Sequence, residues 1–300
     1  MSGIVTQGSE ARLLQEGINA IATIEYKDYE SENSKIFTSY NSEKAYELDV
    51  SLSGTGLAAL KPEGTATSYD GEKQDFATTY THAVYSLGTI ITMEAQMNNL
   101  KRDLIMKSGK MLKRSLVHTD EQLGADIINN AYSDTIGDGV ALFSTAHVQG
   151  KGGTFSNRFT VFTPLSQAAV EDATIAIEDY RDGAGLLINC KAVSLHIPRQ
   201  LRYTADRILE SRFEPNTANT ATVNPVAGIF PGGYHVNHRF TSATEWFIKT
   251  DVEDGFKMFN RMDYTFETDN DFGTSNYRHK GMFYKSYGLT DPRAAYGSGQ

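Results

Sequence analysis

Two histidines three residues apart, His235 and His238, have the spacing at which a helix would aim both imidazoles at one metal ion. The preceding Pro231-Gly232-Gly233 and the β-like residues that follow place a turn into a strand there instead. No glutamate stands where a zinc peptidase needs its general base, so both read as structural or surface histidines. Ser144 and His147 lie close in Ser144-Thr145-Ala146-His147, yet nucleophilic catalysis needs base and orienting acid gathered in space. With no Gly-x-Ser-x-Gly elbow, this segment reads as a buried or capping loop. Gly54-Thr55-Gly56 follows a strand as a dinucleotide-binding turn would, but Pro62, Glu63 and Gly64 block the helix that must come next. That leaves a loop tip. Cys190, the one cysteine, reads as a packed small hydrophobe. The acids Asp251, Glu253, Asp254, Asp263, Glu267, Asp269 and Asp271 lack calcium-loop spacing and read as a solvated face or as an interface partner for basic groups. No catalytic, cofactor-binding or metal-ligating residue is assigned, and no enzyme activity is expected.

The bulk properties narrow the field further. The 300 residues are 40 % hydrophobic and 22 % charged, the make-up of a globular chain long enough for a substantial core. A net charge of −9 offers no basic surplus for gripping phosphates, so sequence-specific nucleic-acid readout is not expected. No run of 18 apolar residues occurs, the N-terminus lacks the basic and apolar regions of a secretory signal, and a single cysteine cannot form an internal disulfide. A cytosolic product without membrane contact is the simplest reading.

The elements that would position these residues follow a definite order. Ser9 caps a short amphipathic helix marked by Leu13, Leu14, Ile18 and Ile21, followed by a polar run from Lys27 to Lys35. So narrow a stripe needs another surface to pack on, as an arm would. Tyr46, Leu48, Val50 and Leu52 alternate with polar residues, and a second β-like stretch spans Gln74 to Thr92. Together they predict a long two-stranded ribbon whose polar tip carries Gly54, Gly56, Pro62, Gly64 and Gly71. An isolated ribbon is marginal in water, so a neighbouring molecule is the obvious support. From residue 93 to about 132 the period becomes helical, with Met97, Leu100, Leu104, Met111, Leu112, Leu116, Leu123, Ile127 and Ile128 apolar, and Lys101, Arg102, Lys107, Lys110, Lys113 and Arg114 on a basic side. Met93 to His118 alone would span roughly 40 Å. Beyond Gly137-Asp138-Gly139, a helix is expected to start at Thr163-Pro164 and end near Asp182-Gly183. A strand at Ala192–Ile197, a helix at Arg199–Ser211, a polar loop at Asn216–Asn224 and short strands complete an α/β unit. Met262, Tyr264 and Phe266 then alternate with polar residues, and Tyr277–Tyr287 returns as a hairpin partner after a turn at Asn270–Asn276.

This order of elements resembles the major capsid proteins of tailed bacteriophages, built on the Hong Kong 97 fold. Particular segments carry the likeness: Lys61-Pro62-Glu63-Gly64 with Thr79-Tyr80-Thr81-His82, Asp138 to His147, Gly152 to Asn157, Leu186-Leu187-Ile188, Pro231 to Tyr234, Trp246 to Asp251, and Thr290-Asp291-Pro292-Arg293. Phe143-Ser144-Thr145-Ala146-His147 is also similar to the major head subunits of Mu-like phages.

The resemblance implies an α+β capsid fold: an N-terminal arm over 1–35, an extended E-loop over 36–92, a P-domain with its spine helix over 93–159, an A-domain over 160–255, and a closing P-domain β-hairpin over 256–300. It implies hexamers and pentamers that form the icosahedral shell of a virion capsid, assembled in the host cytoplasm, around double-stranded DNA held by confinement. The chain begins almost at the arm, so a separate scaffold protein is expected, along with a portal, with or without a decoration protein. An encapsulin-type compartment, loaded with protein cargo, shares the fold and stands as the alternative; a soluble enzyme is the reading from another class. Intersubunit contacts are expected at the ribbon-tip charges Lys61, Glu63, Asp70, Glu72 and Lys73. A second set pairs Lys107, Lys110 and Arg114 of the helix with Asp263 and Glu267 of the hairpin.

Overall fold

Strand and helix periods translate into elements along the chain of the computed structural model, which describes residues 30–71, 73–92, 94, 102–149, 153–213 and 223–299. A four-residue helix α1 (Asn33–Ile36) leads into β1 (Thr38–Asn41), β2 (Tyr46–Ser53), β3 (Lys73–Thr81) and β4 (Ala83–Ile91), and then the long helix α2 (Arg102–Asn129). After β5 (His147–Gln149) and β6 (Gly153–Phe155) come α3 (Gln167–Glu178), β7 (Ala192–Pro198), α4 (Arg202–Leu209), β8 (Tyr234–Asn237) and β9 (Trp246–Thr250). The chain closes with β10 (Phe256–Asn270), β11 (Tyr277–Leu289) and β12 (Ala295–Ser298).

The long hairpin β10–β11 organises one four-stranded sheet, in the order β1-β10-β11-β4, with β1 parallel to β10 and β4 antiparallel to β11. Helix α2 lies along it, burying Leu112 and Leu116. A second sheet, β12-β9-β7-β8, is covered by α3 and α4. In α3 the buried residues Ala169, Val170, Ala173 and Ile177 recur at helical spacing and meet Leu195, Ile197 and Ile248 of the sheet. A fully buried Leu or Ile contributes about 1.5–3 kcal/mol, so this layer is the main stabilising core. A smaller cluster of Ile36, Phe37, Ile128, Phe143, Phe247, Phe256 and Leu289 joins the end of α2 to both sheets. Strands β2 and β3 pair only with each other and form the ribbon.

Three expectations change. The β-like stretch from Gln74 to Thr92 is two strands: β3 pairs with β2, but β4 leaves the ribbon at His82 and pairs with β11. Alternation continues through the crossing, so period alone does not mark it. Met111 is 66 % exposed, because the helix touches the sheet along the 112–116 stripe and Met111 sits about 100° away around its axis. The helix expected at Thr163-Pro164 starts at Gln167 instead, capped by the Ser166 hydroxyl accepting from the Ala169 amide at 3.2 Å. Thr163 is held outside it: its amide donates to Ser298 Oγ (2.9 Å) and its carbonyl accepts from Trp246 Nε1 (3.0 Å). The helix expected from Ser9, residues 93 and 95–101 of the expected long helix, and most of the Asn216–Asn224 loop lie outside the described residues.

Candidate interaction surface

The ribbon is fastened to the body at its root and unsupported at its tip. Lys257 of β10 bonds both Asp49 of β2 and Asp254 (2.8 Å to the latter). Thr290 Oγ1 donates to Asp49 Oδ2 (2.7 Å), so the Tyr80 hydroxyl, 2.7 Å away, is the donor to Thr290. Burial opposes the charge on both Asp49 and Lys257, yet bonds from Lys257 and Thr290 hold the Asp49 carboxyl below its ordinary range, and bonds to Asp254 and Asp49 hold the Lys257 ammonium above its own.

Farther out, the ribbon rests on two turns of its own chain. A Cβ at Gly137 would stand 2.4 Å from Thr78 Oγ1, and one at Gly183 would stand 2.7 Å from Ser53 Cβ and 2.9 Å from Asp75 Oδ2. Only glycine allows this approach. Gly183→Val is therefore expected to lift the ribbon from its seat at a cost of about 1–3 kcal/mol, read as faster hydrogen exchange in β2 and β3 with the remaining sheets unchanged.

Gly54 still stands against Asp182, where a Cβ would lie 2.6 Å from Oδ2; beyond it the support ends, and every residue from 57 to 71 is exposed. Leu57, Leu60 and Tyr69, all on this one loop, are 82 %, 94 % and 94 % exposed. The tip is nonetheless shaped. Asp70 Oδ2 accepts from the Gly56 amide across the loop (2.8 Å) and Oδ1 from the Gly71 amide (3.0 Å), while Thr65 and Pro62 form a turn in which Gly64 has φ +79°. The carboxylate of Asp70 is thus engaged within the tip. Lys61 and Glu63 are exposed and have no ion-pair partner among the described residues. Glu72 and the side chains of Lys73 and Lys107 lie outside the described residues.

Between helix and hairpin a buried ion pair closes within the chain. Asp120 of α2 accepts from Lys285 Nζ (2.7 Å), Tyr264 Oη (2.5 Å) and Tyr287 Oη (2.7 Å), and both Asp120 and Lys285 are buried. Burial and the Asp120 charge push both phenols far above their ordinary pKa. Lys110, Arg114, Asp263 and Glu267 are exposed; Arg114 Nε donates to His118 Nε2 (3.3 Å) and Glu267 pairs with Lys280 across the hairpin (2.8 Å). The structure does not bring Lys110 or Arg114 to Asp263 or Glu267. Asp120 was open to sequence reasoning, since it continues the Leu112–Leu116 stripe by one further step of four. Lys257 and His82 carried no such signal.

The other chemical candidates are occupied elsewhere. His235 lies on strand β8, and His238 Nδ1 bonds Glu32 at 2.7 Å. His147 is buried with Nδ1 2.6 Å from Asp138 Oδ2 and Nε2 3.2 Å from the Leu142 carbonyl, while Ser144 Oγ accepts from the Ala146 amide as a loop cap. Burial raises the Cys190 thiol to about 12. Among the described residues no cluster of three or more histidine, cysteine or carboxylate side chains could hold a metal ion, and no helix is long and apolar enough to cross a membrane.

A family model described as phage capsid protein matches residues 75–298. No curated protein matches the chain. Among solved structures it is similar to one from Microbacterium phage Oxtober96, with a TM-score of 0.53 and 11 % identity over 99 % of this chain and 98 % of that one. The capsid of a native GTA particle gives 0.57 and 12 % over 89 % and 90 %, and a virus-like particle from Pyrococcus furiosus 0.51 and 10 % over 99 % and 100 %. At these identities the likeness is one of fold.

Proposed function

The chain belongs to the phage capsid protein family, a shell-forming structural class with the Hong Kong 97-type α+β fold, and from that premise we propose how its copies close a shell. Copies gather as hexamers and pentamers of an icosahedral head, and each ribbon tip lies on the next subunit, which buries Leu57, Leu60 and Tyr69. The observation that carries this reading is the exposed apolar tip on a root fixed by Lys257 and Thr290. A preset root lowers the ordering cost of docking, and a closed symmetric shell multiplies each weak contact.

In this reading residues 1–35 act as the N-arm and 36–92 as the E-loop, of which 57–71 reaches the neighbour. The P-domain combines 93–159 with the hairpin 256–300, and 160–255 is the A-domain facing the centre of each capsomer. Lys61 and Glu63 form ion pairs with the adjacent subunit, and exposed Lys110, Arg114 and Asp263 add secondary contacts. The enclosed cargo is double-stranded DNA, held by confinement within a wall whose subunits carry a net charge of −9 each. A scaffold protein and a portal are the remaining partners, met in the host cytoplasm.

Lys61→Glu combined with Glu63→Lys tests the polar part of the contact. Shell yield by sedimentation is expected to fall about ten-fold, because reversed rim charges misalign docking. The subunit's melting transition stays in place. Normal shell yield from that variant counts against the tip contact, and enzymes co-purifying inside the shells would turn the reading to a protein-loaded compartment.

A further inference from the structure

The two strands of the ribbon leave the body at Ser42, before β2, and at His82, after β3, and one chain of hydrogen bonds ties both exits to the hairpin. His82 Nδ1 lies 2.8 Å from Ser286 Oγ on β11, and Nε2 lies 3.2 Å from Ser42 Oγ. All three residues are buried. Ser42 gives its one proton to Glu47 Oε1 (2.7 Å), a carboxylate that bonds from Lys44 and Ser42 hold below its ordinary range. Ser42 can therefore only accept from the ring. Nε2 carries the ring proton, and Nδ1 accepts from the Ser286 hydroxyl.

We propose that His82, as the neutral Nε2–H tautomer, is the positioning residue that holds the ribbon where its strands leave the body, and that protonating its ring loosens that hold. The functional meaning of this assignment rests on the reading of the ribbon as an intersubunit element; the geometry it describes does not. A proton on Nδ1 makes the ring donate there, so the Ser286 hydroxyl must turn to accept, and the knot then holds a charged, buried ring whose carboxylate neighbour, Glu47, is reached only through Ser42. The charged groups around the ring come from several elements. Glu47 on β2 faces it through Ser42 and is itself bonded by Lys44. Arg261 on β10 stacks over Tyr284, whose ring is edge-on to His82. Lys285, beside Ser286, turns to the opposite face and onto Asp120. Burial lowers the ring's pKa from its ordinary 6.5, Glu47 opposes this and Arg261 adds to it. A lowered folded-state pKa means that the knot is fully stable above about pH 6.5 and weakens as pH falls below it.

The test places nitroxide labels at Ser68→Cys on the tip and Glu210→Cys on the body, in full-length chain diluted with unlabelled copies. Buried Cys190 stays unlabelled. The wild-type distance distribution is expected to be narrow at pH 8 and about two-fold broader at pH 5.5. His82→Phe, which keeps a ring without its nitrogens, is expected to be broad at both values. His82→Gln, which restores the donor to Ser42, narrows the distribution at both values without restoring the pH dependence. A narrow distribution in His82→Phe, or a wild-type distribution indifferent to pH, overturns the assignment; the wild-type titration decides the matter even if a variant fails to fold. A broad His82→Phe ribbon in shells of normal yield upholds the role of His82 while removing the ribbon from shell assembly.

Discussion

Replacing Leu57, Leu60 and Tyr69 together with serine is expected to abolish shell formation while the subunit keeps its folded core. None of the three contributes to either buried cluster, and each is more than four-fifths exposed, so the free chain loses no packing. Each is expected to go from water into a neighbour's surface on assembly, where a large apolar side chain contributes roughly 1.5–3 kcal/mol. Losing three per subunit raises the concentration needed for assembly on the order of 1,000-fold, even after side-chain ordering costs are subtracted. Light scattering across a dilution series reads this threshold, and circular dichroism melting reads the fold. A triple variant that assembles at the wild-type threshold would show the tip to be a spectator.

The second large effect concerns the subunit itself. Asp120→Ala is expected to destabilise the fold by about 3–5 kcal/mol, because it leaves the buried Lys285 ammonium without its counter-charge. The phenols of Tyr264 and Tyr287 lose their acceptor at the same time. Helix α2 would then separate from β11 before the second sheet opens. The control is Asp120→Leu with Lys285→Met, which removes both charges and replaces them with apolar volume; most of the lost stability should return. Urea midpoints of the wild type and both variants measure this. Equal loss in the single and the paired variants would mean that packing, not the buried charge, is what Asp120 supplies.

Much of the architecture was legible because it rests on local periods. The two-residue alternation of Tyr46, Leu48, Val50 and Leu52 marks β2, and the four-residue step from Leu112 to Leu116 marks the buried stripe of α2. What escaped is non-local. Nothing in Lys73–Ile91 tells that its first half pairs with β2 and its second with a strand nearly two hundred residues later, since both halves alternate alike. The side chains that fix the ribbon and the helix join across 208 residues for Lys257 and Asp49, 204 for His82 and Ser286, and 165 for Asp120 and Lys285. Such pairs need a partner that only the folded sheet supplies. Charge at the tip was legible as charge, but the engagement of Asp70 by the Gly56 amide depends on loop closure, and the apolar trio around it was hidden among small polar residues.

Whether the outlying loop is completed by other copies of the chain can be measured by hydrogen–deuterium exchange of residues 54–72 in closed shells and in dissociated subunits. The expected result is fast exchange in the subunit and at least about ten-fold slower exchange in the shell, with β7 and β9 equally protected in both. Equal, fast exchange of residues 54–72 in the two states would contradict it.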